Sequence, residues 1–428
     1  MNLIRVMPAK GAAMRYDVGV IGGGIIGLVT AWRAAQRGLR VAVADPDPGG
    51  GAARVAAGML APVTELAYGE QTLLELNLAS ARRYPDFVAE LTDATGLDLG
   101  YRACGTLAVA LDADDRAHLR ELHAFQHSLK LTSQWLTGRE CRRLEPMLAP
   151  NVRGGLRVDG DHQIDPRRLA GALLRAAESA GAELHRQRVA RVRTVRGQVT
   201  GVVLADGTLL HTGRTVLAAG SRSAMVDGLA EHLLPPVRPV KGQVLRLRMP
   251  DTGYGHGPFL SRTVRAVVRG GHVYLVPREN GELVVGATSE ELGWDTTVTA
   301  GGVYELLRDA HELVPGVTEL ALVETSAGLR PGSPDNAPLL GPVAALPGLV
   351  LATGHHRNGV LLTPVTGDVL AEVLTSGELP PYATPFSPGR FGLPGQRPRS
   401  DRPPSGPSPS PSVRPGRFAS DSAQEQPV

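Results

Sequence analysis

Cysteine is almost absent from this sequence, and that closes several functions at once. Cys104 and Cys141 are its only two in 428 residues, too few for a disulfide framework and without the spacing of metal ligands. Long apolar runs are missing as well: no stretch of about eighteen apolar residues is present to cross a membrane. The opening residues MNLIRVMPAKGAA lack the apolar core of a secretory signal, so the cytoplasm is the expected compartment and residues 1–13 read as an extension ahead of Met14. A basic surface for nucleic acid is lacking too. The net charge is +3, and residues 383–428 hold six Arg against Asp401, Asp421 and Glu425, which accounts for all of it. The body is therefore close to neutral. These absences leave a globular chain, long enough for two domains or for one large domain plus a tail.

What the chain does have is a dense motif from Tyr16 to Asp45. Val18, Val20 and Ile21 form a short apolar run, as a strand buried on both faces would. Gly22, Gly24 and Gly27 then follow in GxGxxG spacing. Ile25, Leu28, Val29, Trp32 and Ala35 recur at helical spacing, Gly38 closes that helix, and residues 41–44 start a second strand ending in Asp45. A βαβ unit with this turn binds a dinucleotide. The first glycine permits the tight turn, the second lets backbone approach a pyrophosphate, and the third allows close helix–strand packing. Asp45 is placed to accept the adenosine ribose hydroxyls, and no Arg adjoins it, which argues against a 2′-phosphate. FAD and NAD both remain open on these residues alone.

Further along, PDPGGGAARVAAGMLAP is a small-residue loop able to lie against a planar ligand. Residues 70–95 read as amphipathic helix, with Pro85 expected to break it in two. A strand is expected over 102–111 and a helix over 113–129. Asp165-Pro166 opens another helix, followed by a strand leading to Val189 and a turn at Asp206-Gly207; a further strand runs into Gly220. Residues 236–324 are strand-rich, with a hairpin at Asn280-Gly281 and a helix over 301–313. The strand LVLATG leads into His355-His356-Arg357-Asn358-Gly359, with a helix starting near Val360. From about residue 379 the composition turns to Pro, Ser, Gly and Arg, and disorder is expected.

Taken together, VIGGGIIG (20–27), AAGMLAP (56–62), VKGQ (240–243), VYLVPR (273–278), VVGAT (284–288), GLRPGSPDNAPLLGP (328–342) and GHHRNGVLLTPVTG (354–367) resemble the FAD-dependent D-amino acid oxidase superfamily. Within it they resemble glycine oxidase of the thiamine-biosynthesis type. The resemblance implies a mixed α/β and α+β fold: a discontinuous Rossmann-like FAD-binding domain (14–80, 155–225 and 325–378) plus an antiparallel-sheet substrate domain (81–154 and 226–324), with 379–428 a disordered tail. It implies FAD held non-covalently, since neither cysteine falls in a matching motif. Gly22, Gly24, Ile25, Ile26 and Gly27 would take the pyrophosphate, and Asp45 and Pro46 the ribose. Ala52, Ala53, Ala57, Gly58 and Met59 would line the ribityl chain and isoalloxazine, Val189 the adenine, and Gly220 a further turn of the cofactor site. His355, His356, Arg357, Asn358, Gly359, Val360 and Leu361 would wrap the pyrimidine edge. The family more often has Glu where Asp45 stands, hydroxyl residues at 52 and 53, and an apolar aromatic residue at 356.

The implied reaction is oxidation of a small amino acid, glycine, by FAD and O2, giving iminoacetate or glyoxylate, ammonia and hydrogen peroxide, and supplying the thiazole of thiamine. Little is asked of side chains: no nucleophile is needed, and the carboxylate must be oriented. Arg330 would grip it through a guanidinium fork, with Tyr274 and Arg357 beside it. On residue chemistry alone each has a plainer reading: a surface Arg in a Pro/Gly loop, a core Tyr with a satisfied hydroxyl, and an ion-paired Arg. Lys241, alone in a strand, reads as solvent-facing. Related oxidases or dehydrogenases of sarcosine, D-amino acids or D-proline stay open, as does a non-catalytic flavoprotein subunit; a homo-oligomer is compatible with all of them.

Overall fold

The computed structural model describes residues 14–230, 233–249 and 258–392. β1 (Met14–Ile21), α1 (Ile25–Gln36) and β2 (Val41–Ala44) make the opening βαβ unit. Next come β3 (Met59–Leu60), α2 (Gln71–Thr95), β4 (Thr106–Ala110), α3 (Ala113–Ser128), β5 (Gln134–Thr137), α4 (Gly138–Leu144), β6 (Gly154–Val158) and β7 (His162–Gln163). α5 (Pro166–Ser179), β8 (Glu183–His185), β9 (Val189–Val195), β10 (Gln198–Leu204) and β11 (Leu209–Leu217) follow. β12 (Arg238–Arg248), β13 (Thr263–Val268), β14 (Gly271–Pro277), β15 (Glu282–Gly286), α6 (Ala300–Leu313) and β16 (Ala321–Gly332) come next. β17 (Leu339–Pro342), β18 (Leu349–Thr353) and α7 (Thr363–Ser376) complete the regular elements.

The first sheet runs β17-β18-β11-β1-β2-β8, with β10 and β9 added beyond β11. Its centre is parallel: β1 pairs in parallel with both β2 and β11, and β11 with β18. One face is covered by α1, α2, α5 and α7 through a continuous apolar core that includes Leu28, Trp32, Tyr84, Leu173 and Val365. The second sheet runs β16-β12-β15-β14-β13-β4-β6-β5 and is antiparallel except where β13 meets β4. α6 covers it through Leu306, Ala310 and Leu313. Local chemistry sets the ends of several elements. Asp165 caps α5 by accepting from the Arg167 and Arg168 amides, with Pro166 at its first position.

Four expectations need correction. α2 passes through Pro85 without a break. Its buried face, Leu73, Leu76, Tyr84, Phe87 and Leu91, packs into the same core as α1 and α7, and that burial outweighs the roughly 3 kcal/mol a helix-interior proline costs. The helix thus also crosses the expected junction at residues 80 and 81. β6 and the whole of β16 belong to the second sheet, so the junctions expected at 155 and 325 fall inside strands of that sheet. The helix expected near Val360 begins at Thr363, because a short 3-10 turn over His356–Asn358 precedes it. The chain also stays ordered past residue 379. Two 3-10 turns, Pro381–Phe386 and Pro388–Phe391, bury Ala383 and Phe386, and Arg390 pairs with Asp335 at 2.9 Å. Only residues 393–428 of the expected tail, like the expected extension at 1–13, lie outside the described residues.

Phe386 is 2% exposed in the core shared by α1 and α7. Phe386→Ala is expected to destabilise the protein by about 3–5 kcal/mol in denaturant unfolding. An unchanged midpoint would mean that this segment contributes nothing to the body.

Candidate active site

A cavity of about 1230 Å³ runs between the two sheets, larger than the ~300–1000 Å³ typical of small-molecule sites. At one end β1 delivers the chain to the start of α1. Gly22 adopts φ +105°, and a Cβ at Gly27 would lie 1.9 Å from the Gly22 carbonyl oxygen, so only glycine lets the helix start this close to the strand. Gly24 is the N-cap and offers no side chain, and the first intrahelical bond is Leu28 N–H to the Gly24 carbonyl. The amides ahead of it keep free donors at the positive helix end. A Cβ at Gly24 would meet nothing within 4 Å, and Gly24, Ile25 and Ile26 line the cavity. Asp45 lines it too. Its carboxylate accepts from Gly23 N–H at 2.6 Å and Asp47 N–H at 2.7 Å, leaving lone pairs for hydroxyl donors.

This end therefore fits a dinucleotide: first-turn amides without partners among the described residues for its phosphates, an acid for its ribose, and glycines where a side chain would intrude. Pro46, Ala52, Ala53, Ala57, Gly58, Met59, Val189 and Gly220 line the same cavity, as do Gly22, His355, His356, Arg357, Gly359 and Val360. Three of the expected residues do not. Gly27 packs against Gly22, while Asn358 and Leu361 are buried beneath the turn. At the start of α7 the Thr363 N–H donates to the Val360 carbonyl at 3.2 Å. Burial pushes His355 down to about 3, and burial with the neighbouring Arg357 and Arg330 charges pushes His356 to about 4. Both rings are neutral at physiological pH. His355 Nε2 lies 3.0 Å from Thr366 Oγ1.

At the other end the second sheet supplies a platform. Cross-strand pairs share a face, so Arg265, Tyr274, Gly286 and Val244 point the same way across β13, β14, β15 and β12. Gly242 pairs with Gly328, and Arg330 follows two residues on along β16. Two of these glycines are covered by the Tyr274 and Arg330 side chains. A Cβ at Gly286 would lie 2.4 Å from the Tyr274 hydroxyl, and one at Gly242 would lie 2.5 Å from the Arg330 guanidinium. Arg330 donates to the carbonyls of Lys241 at 3.3 Å and Thr288 at 3.2 Å. Burial raises the Tyr274 pKa, against the pull of Arg330, so the phenol keeps its proton.

Three arginines line the cavity from this sheet and from the 355–360 turn, and their partners differ. Arg265 pairs with Glu65 at 3.3 Å and Arg357 with Glu70 at 2.5 Å. Among the described residues Arg330 has no acidic partner. Of the three it is the one free to meet an anionic substrate, whereas Arg357 is already neutralised. Lys241 proves fully buried rather than solvent-facing, 3.3 Å from Glu290 and 3.8 Å from Asp295. Glu290 also accepts from Gln243 Nε2 and from Thr288 Oγ1, which fixes the Thr288 carbonyl that orients Arg330.

Several participants carry little mark in the sequence. Glu65 stands in a loop pinned by the buried Asp161, which accepts from Val63 N–H, Thr64 N–H and the Thr64 hydroxyl. Burial raises Asp161 to about 6. Gly242 and Gly286 did leave a readable signal, because an isolated glycine inside a strand marks a close approach.

Two outcomes follow from this geometry. Gly24→Val fills only open cavity, so the variant is expected to fold with the stability of the ligand-free protein yet purify without dinucleotide; a fully loaded variant would refute the phosphate site. His355 is neutral when folded and takes a proton near pH 6.5 when unfolded, so its contribution to stability is lost as pH falls below that value. In unfolding at about pH 5, His355→Gln should recover about 2 kcal/mol relative to its effect at about pH 7.5. Equal effects at both values would show that the buried ring does not titrate this way.

The family described as DAO, FAD dependent oxidoreductase, matches residues 17–373. The bifunctional protein ThiO/ThiG of Synechocystis sp. is 38% identical over 380 residues, covering 88% of this chain and 54% of its own length. This chain thus spans about half of that relative. Glycine oxidase of Geobacillus kaustophilus is 35% identical over 376 residues, covering 87% of this chain and 96% of its own. The crystal structure of glycine oxidase from that organism superposes with a TM-score of 0.80 at 35% identity, covering 88% of this chain and 99% of that one. The cavity, with a dinucleotide turn at one end and an unpaired arginine at the other, is therefore that of an enzyme fold already known: this chain belongs to the FAD-dependent oxidoreductase family, with FAD as its cofactor.

Proposed function

We propose that this protein oxidises the α-amine of glycine, passing two electrons to non-covalently held FAD and on to O2, and so supplies an imine for the thiazole of thiamine. The observation that carries the reading is Arg330: a guanidinium facing the cavity, oriented by two carbonyls and lacking an acidic partner among the described residues. The similarity to proteins named glycine oxidase and ThiO/ThiG supports the choice of substrate.

When bound, FAD supplies the two-electron acceptor, and oxygen regenerates it with release of hydrogen peroxide. The protein holds the reactants. Arg330 takes the carboxylate through parallel N–H donors, which orients a molecule with almost no other handle. Tyr274, laid over Gly286, contributes a protonated hydroxyl beside it. The Glu65–Arg265 and Glu70–Arg357 pairs hold the loop after β3 against the second sheet and the 355–360 turn, which limits the entry of water. His272 stays uncharged because burial and the Arg265 charge lower its pKa, so it adds no second cation for the carboxylate. The imine formed from glycine is then free to leave or to hydrolyse to glyoxylate and ammonia.

The test is peroxide release from the flavin-loaded protein with glycine, sarcosine and D-alanine compared side by side. Glycine is expected to give the highest kcat/KM; a preference for either of the others would move the assignment to that amine. Arg330→Ala is expected to lower kcat/KM for the preferred amino acid about 30-fold to several thousand-fold, since losing one partner of a desolvated charge pair costs ~2–5 kcal/mol. Arg330→Lys should recover part of that, as an ammonium lacks the fork. Near-normal turnover in a flavin-replete Arg330→Ala protein would end the assignment.

A further inference from the structure

One buried cation takes no part in substrate binding. Arg278 follows β14 directly and is 4% exposed. One guanidinium nitrogen donates to Gln163 Oε1 at 2.7 Å and to the Ile164 carbonyl at 3.0 Å, and the other donates to the Ala57 carbonyl. Among the described residues its Nε has no acceptor and no carboxylate pairs with it. Burial pushes its pKa down to about 10, with Asp165 and Glu282 opposing and Arg246 and Arg102 reinforcing the shift, so it remains charged at neutral pH. A buried charge held only by neutral oxygens is costly, and the fold keeps it.

The group it grips explains why. The Ala57–Gly58 peptide is trans, so its C=O and N–H point in opposite directions. With the carbonyl turned to Arg278, the Gly58 N–H points the other way. Gly58 lines the cavity at φ +81°, and among the described residues its N–H meets no acceptor. Its own carbonyl is fixed by Ile164 N–H at 2.9 Å. A Cβ on Gly58 would lie 2.0 Å from the Ile164 carbonyl oxygen, so the peptide is clasped on its outer side. A buried donor with no partner is rare in a finished structure, and one facing a ligand cavity is completed by the ligand.

We propose that Arg278 is a positioning residue for the cofactor: it clamps the Ala57–Gly58 peptide so that the Gly58 N–H is presented to an acceptor atom of the flavin. The proposal rests on residues 57–59 facing the flavin and is independent of which amine is oxidised. A donor held at that place binds the flavin more strongly as negative charge accumulates on the ring, so it affects both cofactor affinity and the ease of reduction.

The experiment compares the wild-type holoenzyme with Arg278→Met, Arg278→Lys and Gln163→Leu. It measures the FAD dissociation constant, the midpoint potential of the bound flavin, its visible spectrum, and kcat and KM for the preferred amine. Arg278→Met should weaken FAD binding by about 2- to 10-fold, the range of one neutral hydrogen bond. It should make the flavin harder to reduce and lower kcat while leaving KM unchanged, because Arg330 is untouched. Arg278→Lys should recover part of this, as a point donor cannot hold all three oxygens. Gln163→Leu removes one anchor of the guanidinium and should shift the same quantities in the same direction by less; if Arg278→Met does not fold, these two variants decide the matter. A lower melting temperature with wild-type FAD affinity, potential and spectrum would make Arg278 a structural tie and overturn the proposal. The flavin measurements need no substrate, so they stand whether or not glycine is the amine oxidised.

Discussion

The contact between Gly27 and the Gly22 carbonyl governs this architecture. At 1.9 Å from any added Cβ it lets α1 begin at the very end of β1, so the free amides of the first helical turn open into the cavity rather than against the strand. The rest follows from that placement. α1 lies across the parallel sheet, α5 and α7 pack beside it, and the loop after β2 is drawn over the same turn by Asp45, whose carboxylate accepts from Gly23. Even the second sheet takes its position from here, since Gly328 of β16 is left bare where the 51–55 turn approaches, with Val55 3.1 Å from a Cβ at that position.

The dinucleotide half was legible because its chemistry is local. Strand, turn, helix, cap and terminal acid all fall within thirty residues, and each carries a residue type that few other settings require. The hairpin at Asn280-Gly281 and the capped start of α5 were legible for the same reason. The substrate half was not. Arg330 by itself reads as a loop arginine, and its distinction depends on Gly242 and Thr288, which come to it only through the sheet. Arg357 suggested a substrate contact because its acid, Glu70, lies 287 residues away. Lys241 misled in the opposite sense: the carboxylates that make its burial tolerable, Glu290 and Asp295, come from a loop about fifty residues downstream. Pro85 and the segment after residue 379 show a third limit, since local propensity and composition say nothing of the core on which a helix or a turn comes to rest.

Charge is arranged with the same economy. Of the three arginines that reach the cavity from the second sheet and the 355–360 turn, two are matched to acids; both imidazoles of His355 and His356 are held neutral, and among the described residues one guanidinium is left without an acid. Under the proposed reading, Arg330 is the guanidinium that this end of the cavity offers to a carboxylate, which favours a single orientation of the ligand.

The glycines beneath Tyr274 and Arg330 have a consequence for how such a cavity changes the ligand it accepts. The chamber has a floor of main chain, Gly242 and Gly286, on which the two polar side chains lie flat. Its depth is thus set by the hydrogen-bond lattice of β12, β15 and β16, which no single side-chain exchange can lower, while any exchange at those two positions raises it. Room for a larger substituent has to come from the ceiling and walls, the loops at 61–70 and 287–299. Selection for a new substrate would therefore leave its record in those loops and leave the floor as it stands.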